Sequence, residues 1–229
     1  MRFNKRKNEA MPIDTPFDFA ENANWRIFRI MAEFVEGFEF LAPLRREVTF
    51  FGSARLPEGS RWYEEARRLG RLLGENDFTV ITGGGPGIME AGNRGAYEGG
   101  GTSIGLDIEL PEEQRRNAYV QKGIGFHYFF TRKVMMSASA QAYIYFPGGF
   151  GTLDEFFEII TLIQTEKMQH VPVVCVGKDF WEPLDGWLRS ALLAKFETIS
   201  PADLELYTIV ETAEEAFDLI KDSPERKYF

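Results

Sequence analysis

Two short segments of this chain combine residue types that can bind and process an anion. The stronger is Pro147-Gly148-Gly149-Phe150-Gly151-Thr152-Leu153-Asp154-Glu155. Glycines at 148, 149 and 151 leave backbone N–H groups unobstructed just ahead of an apolar-periodic run. A helix start with bare N–H groups and the positive end of its dipole is an anion site, and a phosphate is its natural occupant. Two roles are open for Glu155. With Thr152 it spells a capping box, in which the threonine caps the helix and the glutamate reaches back. Alternatively, a carboxylate beside a phosphate-binding turn serves developing positive charge, as at the anomeric carbon of a sugar.

The second segment is Arg132-Lys133. Read at the opening of a helix, two cations oppose the helix dipole, which makes the placement costly unless an anion is shared there. The planar fork of Arg132 suits bidentate binding of phosphate or carboxylate; the alternative is a solvated pair. Two further segments belong with them, Gly52-Ser53-Ala54-Arg55 and Gly83-Gly84-Gly85-Pro86-Gly87. In the latter, Gly84 and Gly85 allow close backbone approach to a ligand, or simply a tight strand-to-helix turn. The run fails both the G-x-G-x-x-G dinucleotide fingerprint and the phosphate-loop pattern ending in Gly-Lys.

Elements that could carry these segments alternate from residue 47 onward. Apolar runs at 47–52, 78–84, 102–108, 141–149, 171–177 and 206–211 read as strands. Amphipathic runs at 61–76, 86–100, 131–140, 152–167, 181–195 and 212–221 read as helices. Strands that are apolar throughout are buried on both faces, and connections of helical length make them parallel. The expectation is a doubly wound, Rossmann-like α/β sheet flanked by helices, spanning 45–229, with its chemistry in the loops beyond the strand ends. Ahead of it lies an extension of residues 1–44: a polar arm to about residue 20, expected to be mobile or ordered only against a partner, then an amphipathic helix over 22–41. The helix stripe is Trp25, Phe28, Ile30, Met31, Phe34, Val35, Phe38 and Leu41, suited to packing on the domain or on another subunit. The 152–167 helix is apolar on most sides (Leu153, Phe156, Phe157, Ile159, Ile160, Leu162, Ile163), more than one sheet face requires, so burial against a second copy is expected.

Composition narrows the function classes. Over 229 residues the formal charge is −9, with no basic stripe interleaved with aromatics in the body, so nucleic acid is an unsuitable partner. No apolar run approaches the length of a membrane span, and the basic N-terminus lacks the apolar region of a signal peptide. The single cysteine, Cys175, sits in VPVVCVG as a small hydrophobe and excludes an intramolecular disulfide. A cytoplasmic protein is expected. His127 and His170 have no second ligand cluster, which argues against a metal site, and no G-x-S-x-G elbow accompanies them.

TGGGPGIMEAGNRGA, Arg132-Lys133 and PGGFGTLDE, in this order and spacing, resemble the LONELY GUY family, whose members were often labelled lysine decarboxylases; the resemblance covers about residues 45–221. No lysine here independently supports pyridoxal phosphate, and no cofactor is expected. The resemblance implies a homodimeric phosphoribohydrolase that cleaves the N-glycosidic bond of a nucleoside 5′-monophosphate. It makes Arg132 and Glu155 the catalytic pair, and places Glu113, Lys133, the run Gly148 to Asp154 and Thr161 around the nucleotide. Ser53 and Lys133 are expected to assist the phosphate. Phe129-Phe130 ahead of the Arg-Lys pair and Glu90 after the first glycine loop depart from plant-type members and look like the extended bacterial branch, so AMP is as suitable a substrate as a cytokinin nucleotide. The alternative is a non-catalytic carrier or sensor on the same fold, similar to molybdenum cofactor carriers.

Overall fold

The computed structural model describes residues 19–109, 116–138 and 140–226. The polar arm and Glu113 lie outside these residues. Seven parallel strands form one sheet: β1 (Glu47–Phe51), β2 (Thr79–Thr82), β3 (Thr102–Ile108), β4 (Lys122–Phe126), β5 (Ala142–Tyr145), β6 (Val173–Val176) and β7 (Thr208–Val210), in the order β4-β3-β2-β1-β5-β6-β7. The helices are α1 (Phe19–Leu41), α2 (Arg61–Glu75), α3 (Ile88–Glu98), α4 (Phe129–Ala138), α5 (Phe150–Gln164), α6 (Lys178–Trp187) and α7 (Ala213–Ile220). The Rossmann-like expectation therefore holds.

Alternation along buried strands sorts the core into two layers. Val48, Phe50, Ile144 and Phe146 face α2, α3 and α7. Phe51, Tyr143 and Tyr145 face the opposite side, where α4, α5 and α6 pack. From β1 the chain winds outward through β2, β3 and β4, then returns to β5 on the other side of β1. Connections diverge at that point, opening a crevice between the carboxyl ends of β1 and β5.

Several boundaries differ from the sequence reading. The edge strand β4 was not foreseen: KGIGF carries two glycines, no alternation and only one buried residue, Phe126. The stretch expected as one helix over 181–195 divides into α6 and a π-helical segment, Leu188–Lys195, with Pro183 inside α6. A short 3-10 helix, Pro201–Glu205, follows and was not foreseen either. The start of α4 is Phe129 rather than Thr131, so Arg132 and Lys133 lie one turn inside the helix. There the dipole opposes them less, because its effect is confined to the first turn.

The start of α5 matters most. Its N-cap is Gly149, with no side-chain cap, and its first backbone bond runs from Leu153 N–H to Gly149 O (3.1 Å). Thr152 is thus already inside the first turn and Glu155 lies a full turn beyond it. The capping-box reading of Thr152 and Glu155 is incorrect, because the glycines let the helix begin two residues earlier than the threonine.

Helix α1 divides the predicted stripe unexpectedly. Ile30, Phe34 and Leu41 turn inward, but Trp25, Phe28, Met31, Val35 and Phe38 are exposed. The inward face is completed by Glu33 and Gly37, both buried against the domain. A Cβ at Gly37 would collide with the Met135 side chain of α4, so glycine is what permits the close crossing. Phe129, Phe130 and Phe157 continue the exposed apolar surface on the same side of the sheet. Among the described residues, no helix is long and apolar enough to cross a membrane.

Candidate active site

The crevice between β1 and β5 is a cavity of about 1080 Å³ lined by three strand-end segments and three helices, α3 contributing Met89. Gly52 to Leu56 follow β1, Gly83 follows β2, and Pro147 to Thr152 follow β5 and open α5. Arg132, Lys133 and Met136 come from α4, and Asp154 and Glu155 from α5. The loops are stitched by backbone bonds from Ser53 N–H to Pro147 O (3.1 Å) and from Ile88 N–H to Ser53 O (3.0 Å). Ser53 Oγ accepts from Arg55 N–H at 3.1 Å, leaving the hydroxyl proton for a ligand.

The glycines of the two loops do different work. In the α5 loop, a Cβ on Gly149 or Gly151 would meet nothing within 4 Å, and neither has a positive φ. Neither fold nor conformation demands glycine there; the space left open is the cavity. The N–H groups at 149–152 have no intrahelical partner, as at any helix start, and these residues line that space. Gly84, by contrast, has φ +70°, and a Cβ on it would collide with Asp107 Oδ1. Its N–H donates to Thr82 Oγ1 (2.9 Å), and its carbonyl, with that of Gly85, accepts from the Asn117 amide at 3.1 and 3.0 Å. Asn93, fully buried, ties Thr82, Ser103 and Asn117 together. Gly84 and Gly85 therefore do not line the cavity and serve a tight turn; only Gly83 of that run lines it. Asn93 and Asn117 escaped sequence reasoning because a buried asparagine has no periodic signature.

This contrast yields a prediction. Gly151→Ala should leave the empty protein as stable or more stable, since alanine exceeds glycine in helix propensity by about 1 kcal/mol, while weakening nucleotide binding. Gly84→Ala should lose stability, with left-handed backbone alone costing about 1–2 kcal/mol. Thermal denaturation and nucleotide titration of the two variants check both halves.

Among the described residues three cations line the cavity, Arg55, Arg132 and Lys133, and Arg132 is the one set deepest between the strands and α4. Its Nε donates to Leu106 O at 2.8 Å, and among the described residues it makes no ion pair. Burial pulls its pKa below the ordinary range, with Glu155 and then Asp107 offsetting only part of that cost. An arginine keeps its proton regardless, so the guanidinium is a half-buried charge with no ion pair among the described residues. Lys133 differs. Burial would lower its pKa, but Asp154 (2.8 Å) and Glu158 (3.0 Å) outweigh this and hold it above the usual range. Lys133 lines the cavity, but its charge is already engaged by α5.

Glu155 lies in the same cavity with its carboxyl pushed up to about 8, chiefly by burial. Lys133 works against the shift, while Glu158 and Asp154 add to it. Its backbone is fixed from beneath: Tyr145 Oη donates to Glu155 O at 3.1 Å, and neighbouring Phe156 packs edge-on against Tyr145 and beside Trp181. Thr161 is two turns farther along α5, exposed and outside the cavity lining. Met89, Phe129, Met136 and Phe150 supply apolar wall, Phe150 being 93% exposed at the rim; Met89 and Met136 were not singled out by sequence.

Residues 89–220 match the family model described as "Possible lysine decarboxylase". The chain is 30% identical over 174 residues to the probable cytokinin riboside 5′-monophosphate phosphoribohydrolase LOGL5 of Oryza sativa subsp. japonica, covering 74% of this chain and 68% of that protein. This chain belongs to the LONELY GUY family. Another family relative, the cytokinin riboside 5′-monophosphate phosphoribohydrolase of Rhodococcoides fascians, is 26% identical over 184 residues, covering 78% of this chain and 91% of that protein. Among solved structures, a Moco carrier protein from Chlamydomonas reinhardtii superposes with a TM-score of 0.57 at 22% identity, covering 77% of this chain and 96% of that one; at this identity the likeness shows the fold alone. The decarboxylase label has no support in the LONELY GUY cavity. Among the described residues Lys133 is the one lysine lining it, and two carboxylates keep that amine protonated, the opposite of what a Schiff-base lysine needs.

Proposed function

We propose that this protein is a phosphoribohydrolase that hydrolyses the N-glycosidic bond of a nucleoside 5′-monophosphate, with AMP as a substrate. The observation that carries this reading is the half-buried Arg132 guanidinium, without an ion pair among the described residues, sharing one cavity with the bare helix start at 149–152 and the Glu155 carboxyl. An uncompensated buried cation is costly unless an anion neutralises it on binding.

The 5′-phosphate occupies the N–H groups of 149–152, assisted by the Ser53 hydroxyl. Remote binding energy then orients the ribose. The base lies against the apolar wall of Met89, Phe129 and Met136. As the bond from C1′ to the base nitrogen breaks, its electron pair leaves with the base, and Glu155 faces the positive charge developing at C1′. Glu155 takes a proton from the water whose oxygen adds to C1′, and that proton passes on to the departing base nitrogen, giving neutral free base and ribose 5-phosphate with the carboxylate restored. A carboxylate with a raised pKa suits that task, since a base is most effective near the working pH. Arg132 orients the carboxylate and substrate oxygens. Lys133 enters differently from its expected role: it balances Asp154 and Glu158, so that the acidic side of α5 does not repel the phosphate. A second copy of the chain covers the apolar face of α4 and α5.

Incubating the pure protein with AMP, and separately with a prenylated AMP, should release free base and ribose 5-phosphate, with a sedimentation mass of at least two chains. Tight nucleotide binding without base release would overturn the enzymatic reading in favour of a carrier.

A further inference from the structure

The N-terminal helix enters the site through one side chain. Glu33 is 8% exposed, unusual for a carboxylate on a helix whose neighbouring outward residues are solvated. It receives three donors from the turn that opens α4: His127 N–H at 3.0 Å, Tyr128 N–H at 3.4 Å and Thr131 Oγ1 at 2.6 Å. Thr131 is itself fully buried. Two further contacts fix the same crossing. Arg26 of α1 lies over the Tyr128 ring at 5.5 Å, and the Gly37 backbone packs directly on Met135. The carboxylate therefore sits at the amino end of α4, where negative charge is favoured, and offsets the two cations that α4 carries one turn later.

We propose that Glu33 is a positioning residue for the reaction: it fixes the first turn of α4 and thereby the reach of Arg132 into the cavity. The extension is then part of the active-site scaffold rather than an appendage for assembly. The geometry supports this through succession along one helix. Thr131, which Glu33 holds, immediately precedes Arg132, and Arg132 N–H makes its backbone bond to Tyr128 O (3.3 Å), within the turn that Glu33 pins. Among the described residues, the Leu106 carbonyl is the one further hydrogen-bond anchor of Arg132. A small rotation of α4's first turn would move the guanidinium, and misplacement by about 1 Å can cost about 100-fold in rate.

The inference rests on the phosphoribohydrolase reading for its kinetic consequence, and its structural half is tested separately. In the full-length protein, Glu33→Ala should lower kcat for AMP by about 10- to 100-fold with a smaller change in KM. Amide exchange should accelerate over residues 127–133 while the strands keep their protection. Glu33→Gln, whose amide oxygen still accepts an N–H, should recover most of the activity and protection. Wild-type kcat and unchanged exchange at 127–133 in Glu33→Ala would overturn the proposal. So would exchange that rises equally throughout the sheet in both variants, which marks a general stability role. If the wild-type chain releases no base from AMP, the function fails while local exchange still decides whether Glu33 holds α4.

Discussion

Glu155→Gln should reduce AMP hydrolysis by about 1000-fold while nucleotide binding persists, and should at the same time make the protein more stable at alkaline pH. The kinetic half follows from removing the charge that faces the developing cation and accepts the water proton, each of which is worth on the order of 100-fold or more. The amide keeps the size of the side chain. Because Glu155 is not the helix cap, no capping bond is lost to confuse the result. The stability half follows from linkage. The folded-state pKa is raised, from 4.5 to about 8, so the carboxyl's favourable contribution is present below the unfolded value and is lost as pH rises through the folded one. The variant's advantage in Tm should be absent near pH 4, grow between about pH 4.5 and 8, and level off above. One kcal/mol corresponds to about 2–4 °C for a chain of this size. The wild-type pH–rate profile should rise through the same region, because the ionised form is the working one; a profile that falls there would instead make Glu155 a proton donor. Equal Tm at pH 9 for both proteins would mean that burial does not strain this carboxylate.

Arg132→Met should show a similar opposition between activity and stability. Loss of kcat/KM by about 100- to 1000-fold is expected, the range for removing one preorganised charge donor. The ligand-free protein should melt at the same temperature or higher, because replacing a half-buried cation that lacks an ion pair with an apolar chain of similar length removes a desolvation cost. Saturating AMP should then distinguish the two proteins. At a hundred times Kd a ligand adds about 2.7 kcal/mol to the stability of a folded protein, so the wild-type Tm should climb by several degrees while that of Arg132→Met moves little. Arg132→Lys should recover only a small part of the activity, since an ammonium cannot reproduce the planar fork or the Nε bond to Leu106 O. A substantially lower ligand-free Tm in Arg132→Met would show that this arginine is a structural fastener rather than a binding charge.

Both expectations depend on a trade of stability for function within one cavity. Its floor is rigid: Tyr145, Phe156 and Trp181 form a packed aromatic group beneath α5, and Phe51 stacks on Tyr145 at 5.0 Å. Rigid support of this kind holds the raised carboxyl and the guanidinium in place, because neither backbone can shift without moving a helix.

The local chemistry was legible in the sequence wherever it depends on contiguous residues. Uniformly apolar strands such as VPVVCVG require burial on both faces, and helices between them require crossovers, so the parallel sheet followed from patterning alone. Bare N–H groups at a helix start were likewise readable in PGGFGT, since three glycines in four positions have few other uses. What sequence could not decide was the work of side chains whose meaning depends on distant neighbours. The capping box of Thr152 and Glu155 was a correct local pattern overruled by where the helix starts. Gly84 and Gly149 look alike in one dimension. Only the fold shows that the first is held in a left-handed turn by Thr82 and Asn117, with Asp107 filling the space a side chain would need, while the second faces open space. Helix α1 shows the same limit most clearly. Hydrophobic periodicity identified its apolar stripe, yet the face turned to the domain is completed by a carboxylate and a glycine, one bonded to a turn 94 residues away and the other admitting a methionine. Periodicity registers apolar area, which is additive along the chain. Hydrogen-bond satisfaction and close approach are properties of pairs, and pairs separated by a hundred residues exist only once the chain has folded.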